Sequence, residues 1–178
     1  KAAIASGVAR KEIDNWEAYN AELQDRIGNE DEITRLLTQR AKSDPKRIVY
    51  AEADHLDVLK AAQIVCEDGM AIPILLGRKE IILELMETLD FDLNAVQIID
   101  PKHDDEQDQL KKYAYELWER RKRKGITLYD AEKLMRERNY FAAMMVVAGD
   151  ADAMLSGYSR AYPSVLKPIL EIIGKDPK

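Results

Sequence analysis

Two stretches of the 178-residue sequence concentrate side chains able to hold an anion. The first is Arg120-Arg121-Lys122-Arg123-Lys124, five cations in a row before Gly125. One guanidinium turned inward here would offer a phosphate or carboxylate a planar fork of donors. The competing account is that cations at the end of a helix complement the negative pole of its dipole and stay solvated. Spacing leaves both open. The second stretch is Ser156-Gly157-Tyr158-Ser159-Arg160, directly after a short apolar run, with Lys167 further along. Hydroxyls and cations placed there fall outside the carboxyl end of a strand, where open α/β sheets take their ligands. A plain turn is the alternative. No histidine lies nearby in sequence to act as a base, which disfavours Ser156 or Ser159 as a nucleophile.

Other chemistries are poorly supplied. The sequence has no G-x-G-x-x-G, Walker loop, H-E-x-x-H or C-x-x-C, so no short motif names a cofactor or metal. His55 and His103 stand beside polar or acidic helix starts without metal-ligand spacing and read as surface or capping residues. Cys66 reads as a small packed hydrophobe on a helix. A lone cysteine permits no intrachain disulfide, which suits a reducing cytoplasm. The net charge of −6 argues against nucleic acid as a partner, because phosphate-backbone binding needs a broad positive face. No run approaches the roughly 20 apolar residues that cross a bilayer, and the opening stretch lacks a signal-peptide pattern. A cytoplasmic protein without a membrane partner is expected.

The elements that must position these residues follow from apolar spacing. Hydrophobic residues make up 46% of the chain, enough for one domain with its own core. Residues 1–30 combine small residues with a sparse acidic stretch and have little apolar content of their own. From Ile33, the positions Ile33, Leu36, Leu37 and Ala41 predict an amphipathic helix closed by Asp44-Pro45. Four runs read as buried strands: 47–53, 71–77, 96–100 and 152–157. Between the first two, Val58, Ala61, Ala62 and Val65 share a helix face, with Asp54 as the expected cap and Gly69 in the left-handed position after the end. A long helix carries Leu110, Tyr113, Ala114, Leu117 and Trp118 and ends at Gly125. Thr127 with Asp130 forms an expected capping box, and Asn139 is the expected cap of a helix through Phe141, Met144, Met145 and Ala148. The last segment starts with Pro163 in its first turn, has Pro168 to kink it, and ends at Gly174. Strands separated by helices predict an α/β fold, a three-layer doubly wound parallel sheet flanked by helices on both faces. Four strands make a small sheet for this architecture, so a truncated domain is expected.

Several blocks in order resemble the phosphotransacetylase family. K-R-I-V-Y-A-E-A-D-H at 46–55 and A-I-P-I-L-L-G at 71–77 are similar to its R-I-V-F-P-E-G and P-I-L-L-G. R-K-R-K-G-I-T at 121–127 and N-Y-F-A-A-M-M-V-V-A-G-D-A-D-A-M-L-S-G at 139–157 are similar to its R-K-x-K-G-x-T and Y-F-x-x-M-M-V-x-x-G-x-A-D-x-x-x-S-G. The likeness spans about residues 45–174. Two features narrow it to bacterial multidomain malic enzymes that carry a phosphotransacetylase-like C-terminal region. Residues 1–28 look like the close of their malic domain and its linker. The segment after Ser156-Gly157 departs from the transferase pattern S-G-x-x-H-S-T-A-D-T-x-R-P and resembles the malic-enzyme form S-G-x-x-R-x-Y-P-S-x-x-K/R-P.

The resemblance implies a phosphotransacetylase-like domain of the isocitrate/isopropylmalate dehydrogenase-like class over 31–178, incomplete, after a malic-domain tail over 1–30. It places Arg160 where transferases have histidine, Ala161 where they have serine, Tyr162 where they have threonine, and Lys167 where they have arginine. Lysine keeps that charge and loses the bidentate fork. Arg121 matches the family's basic position near the coenzyme A and acyl phosphate cleft. These departures count against transferase chemistry and leave acyl-CoA binding, with Arg121, Ser156, Ser159, Arg160 and Lys167 as the implied ligand residues and no catalytic residue in the fragment. For an intact parent the resemblance implies oxidative decarboxylation of malate with NADP and a divalent metal (Mg or Mn). This region would then serve homo-oligomerisation and allosteric sensing of acetyl-CoA or a related anionic effector. An active phosphate acetyltransferase is the alternative, and a purely structural scaffold a third possibility.

Overall fold

The computed structural model describes residues 15–19, 32–92, 94, 96–103 and 107–175. The chain divides into two compact units, residues 1–40 and 41–178. In the first, Asn15 opens a helical turn over 16–19, its Oδ1 accepting from the N–H groups of Glu17 at 3.0 Å and Ala18 at 3.1 Å, which is how a short amide caps orphan donors. Trp16 and Tyr19 meet edge to face at 6.0 Å. Helix α1, Glu32–Ser43, ends where Asp44-Pro45 predicts. Residues 1–14 and 20–31, most of the expected malic-domain tail and linker, lie outside the described residues.

The second unit is built on a parallel sheet of β1 (Lys46–Tyr50), β2 (Ala71–Leu76), β3 (Gln97–Ile99) and β4 (Ala153–Leu155), in the spatial order β3-β2-β1-β4. Its helices are α2 (Leu56–Glu67), α3 (Lys79–Leu89), α4 (Gln107–Arg121), α5 (Leu128–Met135), α6 (Arg138–Ala148) and α7 (Tyr162–Ile172). The strands sort their side chains with a period of two. Val49, Ala51, Ile74, Leu76 and Ile99 face a core shared with α4, α5, α6 and α7. Tyr50, Ala53 and Leu75 face the other, shared with α2 and α3. Helices therefore cover both faces, which explains strands that read as unbroken apolar runs. Pro73 sits in β2 opposite Ile48, one position before pairing with β3 begins at Ile74, so it occupies a place where β2 is paired on one side only.

The expected stripe of α4 is buried as spaced, with Leu110, Tyr113, Ala114 and Leu117 in the core and Trp118 packed against it. Helix α6 is apolar nearly all round and buries every residue from Tyr140 to Met145, as a helix in the middle of its layer must. Phe141 meets Tyr113 edge to face at 5.1 Å. The Thr127–Asp130 capping box forms in both directions. After α2 the Gly69 N–H donates to Cys66 O at 3.0 Å and the Met70 N–H to Val65 O at 2.9 Å, a Schellman ending that requires Gly69 at φ +66.

Three expectations are corrected. Residues 51–54 form a turn, so the first strand is shorter than the run 47–53. Its backbone still continues the ladder, with Ala51 N–H on Leu155 O at 3.0 Å and Ala53 N–H on Leu76 O at 3.2 Å. Asp54 is not the cap of α2: His55 holds the N-cap position without a side-chain bond, because the Asp54 carboxylate is taken by arginines from elsewhere. Asn139 lies inside the first turn of α6, where Glu137 is the N-cap.

The two kinds of support predict different costs. Phe141→Ala should lower the unfolding free energy by about 3–5 kcal/mol and Thr127→Ala by about 1 kcal/mol, both read by urea denaturation. Equal losses would mean that α6 does not carry the core.

Candidate functional site

Chemistry collects at the carboxyl ends of the strands, and its centre is Glu52. Its neighbours Ala51 and Ala53 are completely buried, so the carboxylate between them is drawn inward to 3% exposure. A buried carboxylate needs donors. The loop after β4 supplies them. Glu52 Oε1 accepts from Gly157 N–H at 2.7 Å and Tyr158 N–H at 3.0 Å, with Ser156 Oγ at 3.2 Å. Oε2 accepts from Ser159 N–H at 2.8 Å and from the Ser159 hydroxyl. Burial works to raise the carboxyl pKa, but the donors, led by the Ser159 hydroxyl and the Gly157 and Ser159 amides, outweigh it and hold the group at about 2. Aiming three consecutive amides at one carboxylate bends the chain sharply, and Gly157 takes the bend at φ +109.

A second carboxylate stands beside it. The Asp54 side chain, 3% exposed, accepts both arms of Arg138 at 2.6 and 2.7 Å and Arg78 Nε at 3.2 Å. Burial opposes its ionisation, and the Arg138 and Arg78 guanidinium groups overcome that and keep its pKa below the usual range. Asp54 thereby ties the ends of β1 and β2 to the start of α6.

These anchors frame a cavity of about 250 Å³, walled by Ala51 and Glu52 from the end of β1, by Arg138, Asn139 and Tyr140 from α6, and by Arg160, Ser164 and Lys167 from the last segment. The structure brings Arg160 and Lys167 together in this wall. Among the described residues neither has an ion-pair partner, so both can meet an incoming anion. Ser156 and Ser159 stand behind them: Ser159 is spent on Glu52, and Ser156 shares its proton between Glu52 and Asn139 Oδ1 at 2.8 Å. Asn139 also donates to Ser164 O at 3.4 Å. Arg121 does turn inward, to 15% exposure, but it lies outside this wall. It donates to Glu171 O at 2.9 Å and pairs with the Glu171 carboxylate at 3.3 Å, which also accepts from Tyr140 Oη at 2.6 Å. Arg121 thus fixes the end of α7, which carries Lys167.

Glu52, Asp54, Arg138 and Asn139 were not singled out as site residues by spacing. The available signal was Ala-Glu-Ala-Asp following an apolar strand. Small residues around an acid, where a strand is still buried, announce a carboxylate that must find partners inside.

Residues 32–178 match the family model described as phosphate acetyl/butaryl transferase. The whole chain is 34% identical over 181 residues to the NADP-dependent malic enzyme of Rhizobium meliloti (strain 1021), covering 23% of that protein. It is 38% identical over 145 residues to the phosphate acetyltransferase of Thermoanaerobacterium thermosaccharolyticum, a match covering 82% of this chain and 43% of that one. Among solved structures, the EutD phosphotransacetylase from Staphylococcus aureus has a TM-score of 0.69 and 29% identity over 80% of this chain and 42% of its own. The chain spans less than half the length of each of these relatives. The solved structure supports the phosphotransacetylase part of the expected fold and lends nothing to the isocitrate/isopropylmalate dehydrogenase label.

The Glu52 clamp sets a pH dependence. A carboxyl lowered from 4.5 to about 2 on folding contributes stability that is complete above the unfolded pKa and lost as pH falls toward the folded one. Glu52→Gln should cost about 2–3 kcal/mol at pH 7, and the gap to the native chain should shrink by more than half by about pH 3. Urea titrations at both pH values measure it. An unchanged gap would show that packing, not charge, holds the loop.

Proposed function

The chain belongs to the phosphate acetyl/butaryl transferase family, and we propose that it is the phosphotransacetylase-like module of an NADP-dependent malic enzyme, serving subunit association and the sensing of acetyl-CoA or a related anion. The observation that carries this proposal is the extent of the likeness: it runs over the whole chain for malic enzyme and over 82% of it for phosphate acetyltransferase. The chemistry of the cavity supports the same choice. Arg160 and Lys167 give it two cations without an ion-pair partner among the described residues, whereas the Ser164 hydroxyl in the same wall donates to Ala161 O and those of Ser156 and Ser159 behind it donate to Asn139 and Glu52. Such a wall suits holding an anion, and its two hydroxyls among the described residues, Ser164 and Tyr140, both donate to acceptors of the chain itself.

In this proposal Arg160 and Lys167 contact the effector, while Ser156 and Ser159 shape the loop through Glu52. Arg121 acts through Glu171 by fixing the helix from which Lys167 projects. An effector held between α6 and α7 would bias their packing, and a change of packing can reach a subunit interface. Malate oxidation, NADP and a divalent metal belong to the proposed parent. Among the described residues no three His, Cys, Asp or Glu side chains converge as a metal site. A cytoplasmic location accompanies the proposal. No helix among the described residues is long and apolar enough to cross a membrane.

The second reading, a module of an active phosphate acetyltransferase, is favoured by the family match over residues 32–178 and by a cavity at the strand ends. One pair of assays separates the two. For the parent protein, acetyl-CoA should inhibit malate-dependent NADP reduction without acetyl transfer between acetyl phosphate and coenzyme A. Lys167→Ala should raise the acetyl-CoA needed by about tenfold, the loss of one charge-assisted contact, and Lys167→Arg should retain the response. Acetyl transfer with no acetyl-CoA effect on malate oxidation would establish the transferase instead.

A further inference from the structure

The carboxyl ends of β2 and β3 carry a second cleft, of about 300 Å³, beside the proposed acetyl-CoA cavity. Its lining is Arg78, Asp100, Pro101, Lys102, Arg136, Arg138 and Arg160. Five cationic side chains face one carboxylate in a chain whose net charge is −6. Low-dielectric walls lined by one sign of charge focus the field into the cleft. Arg78 and Arg138 have their countercharge in Asp54. Among the described residues, Lys102, Arg136 and Arg160 have no ion-pair partner, and Asp100 spends one carboxylate oxygen on the Lys102 N–H at 3.0 Å.

The placement of these cations runs against local stability. Arg78 is the N-cap of α3 and Arg138 the first residue of α6, with Arg136 two residues before it. The N-terminal pole of a helix carries partial positive charge and favours carboxylates there. The first turn of α6 has no acidic residue at all. Asp54 offsets Arg78 and Arg138 and Glu80 and Glu137 stand at the starts of α3 and α6, so the cation set against a helix N-terminus without an ion-pair partner among the described residues is Arg136.

We propose that this cleft is a site for a diphosphate group, as free pyrophosphate or on a small molecule that carries it. Three cations without an ion-pair partner among the described residues match the charge of such a group, guanidinium forks match its oxygen pairs, and the N-terminal ends of α3 and α6, at Arg78 and Arg138, border the cleft. The volume is about ten times the ~30 Å³ share of one water molecule in the liquid, which gives room for more than a single phosphoryl group. The site shares Arg138 and Arg160 with the acetyl-CoA cavity, whereas Arg78, Lys102 and Arg136 line it alone.

Isothermal titration of the whole chain with pyrophosphate at low salt tests it, alongside thermal unfolding. Binding should weaken at least tenfold in Lys102→Gln/Arg136→Gln, whose thermal midpoint without ligand should equal or exceed the native one because like-charge repulsion is relieved. Lys167→Gln, which alters only the first cavity, should stay within twofold of native affinity. Lys102→Gln alone, on the loop after β3, should give a partial loss and guards against misfolding of the double variant. Competition by a nucleoside diphosphate that persists in Lys167→Gln would support the site and name its carrier. Absent binding, native affinity in the double variant, or equal affinity for sulfate at matched ionic strength would overturn it.

Discussion

The carboxylate of Glu52 is almost sealed from solvent, and everything around it is arranged to supply donors. Leaving such a group unpaired would cost several kcal/mol, so β1 cannot end where it does unless another segment folds over it. That segment is the loop after β4, which gives Glu52 three amides and two hydroxyls. One interaction therefore fixes the loop, the direction in which the chain leaves the sheet, and the start of α7. Lys167 reaches the cavity from α7, so the candidate site inherits its geometry from a buried acid that touches no ligand in the proposed scheme.

The opposite ends of the same strands are pinned by different chemistry. Arg47 spans from β1 to the chain entering β4, pairing with Asp152 at 3.0 Å and donating to Gly149 O at 2.9 Å and Asp150 O at 3.0 Å. These contacts are largely exposed and individually weak. Their effect is on register, because they hold β4 beside β1 with Val49 opposite Met154. Register decides that Leu155 ends level with Tyr50 and hence that Ser156 begins the turn over Glu52. A slip of one residue would reverse which side chains face each core.

Legibility in the sequence followed the range of the interactions. Local devices were plain: the Thr127–Asp130 box, Gly69 after α2, the buried stripe of α4 and the stop at Asp44-Pro45 all depend on neighbours within a few positions. Asp54 and Asn139 were misread for the same reason. Both have cap-forming side chains beside a helix start, and local rules assign them there, but partners 84 and 17 residues away in sequence claim them. Arg121 shows the limit from the other side. Its inward turn was one of two readings of the basic run, and its partner Glu171, 50 residues on, could not be seen from spacing. The cationic cleft was not legible as a unit: Arg160 was read as an anion-binding residue, but Arg78, Lys102 and Arg136 stand far from it and from one another in sequence and meet only because four chain segments end at one edge of the sheet.

That convergence follows from the topology. In a parallel sheet every strand delivers its following loop to the same edge, so polar residues that follow strands accumulate there whatever their sequence separation. Here the edge receives carboxylates after β1 and β3 and cations after β2, after β3 and before α6. The two carboxylates that sink into the protein, Glu52 and Asp54, are satisfied by internal donors. The cations that stay outside, Lys102, Arg136 and Arg160, border the clefts. Burial thus sorts the charges of the edge by sign: acids inward as structural anchors, cations outward facing solvent. An overall negative chain can in this way present a positive edge, and it is this local sign, not the net charge of −6, that governs which small anions the edge attracts.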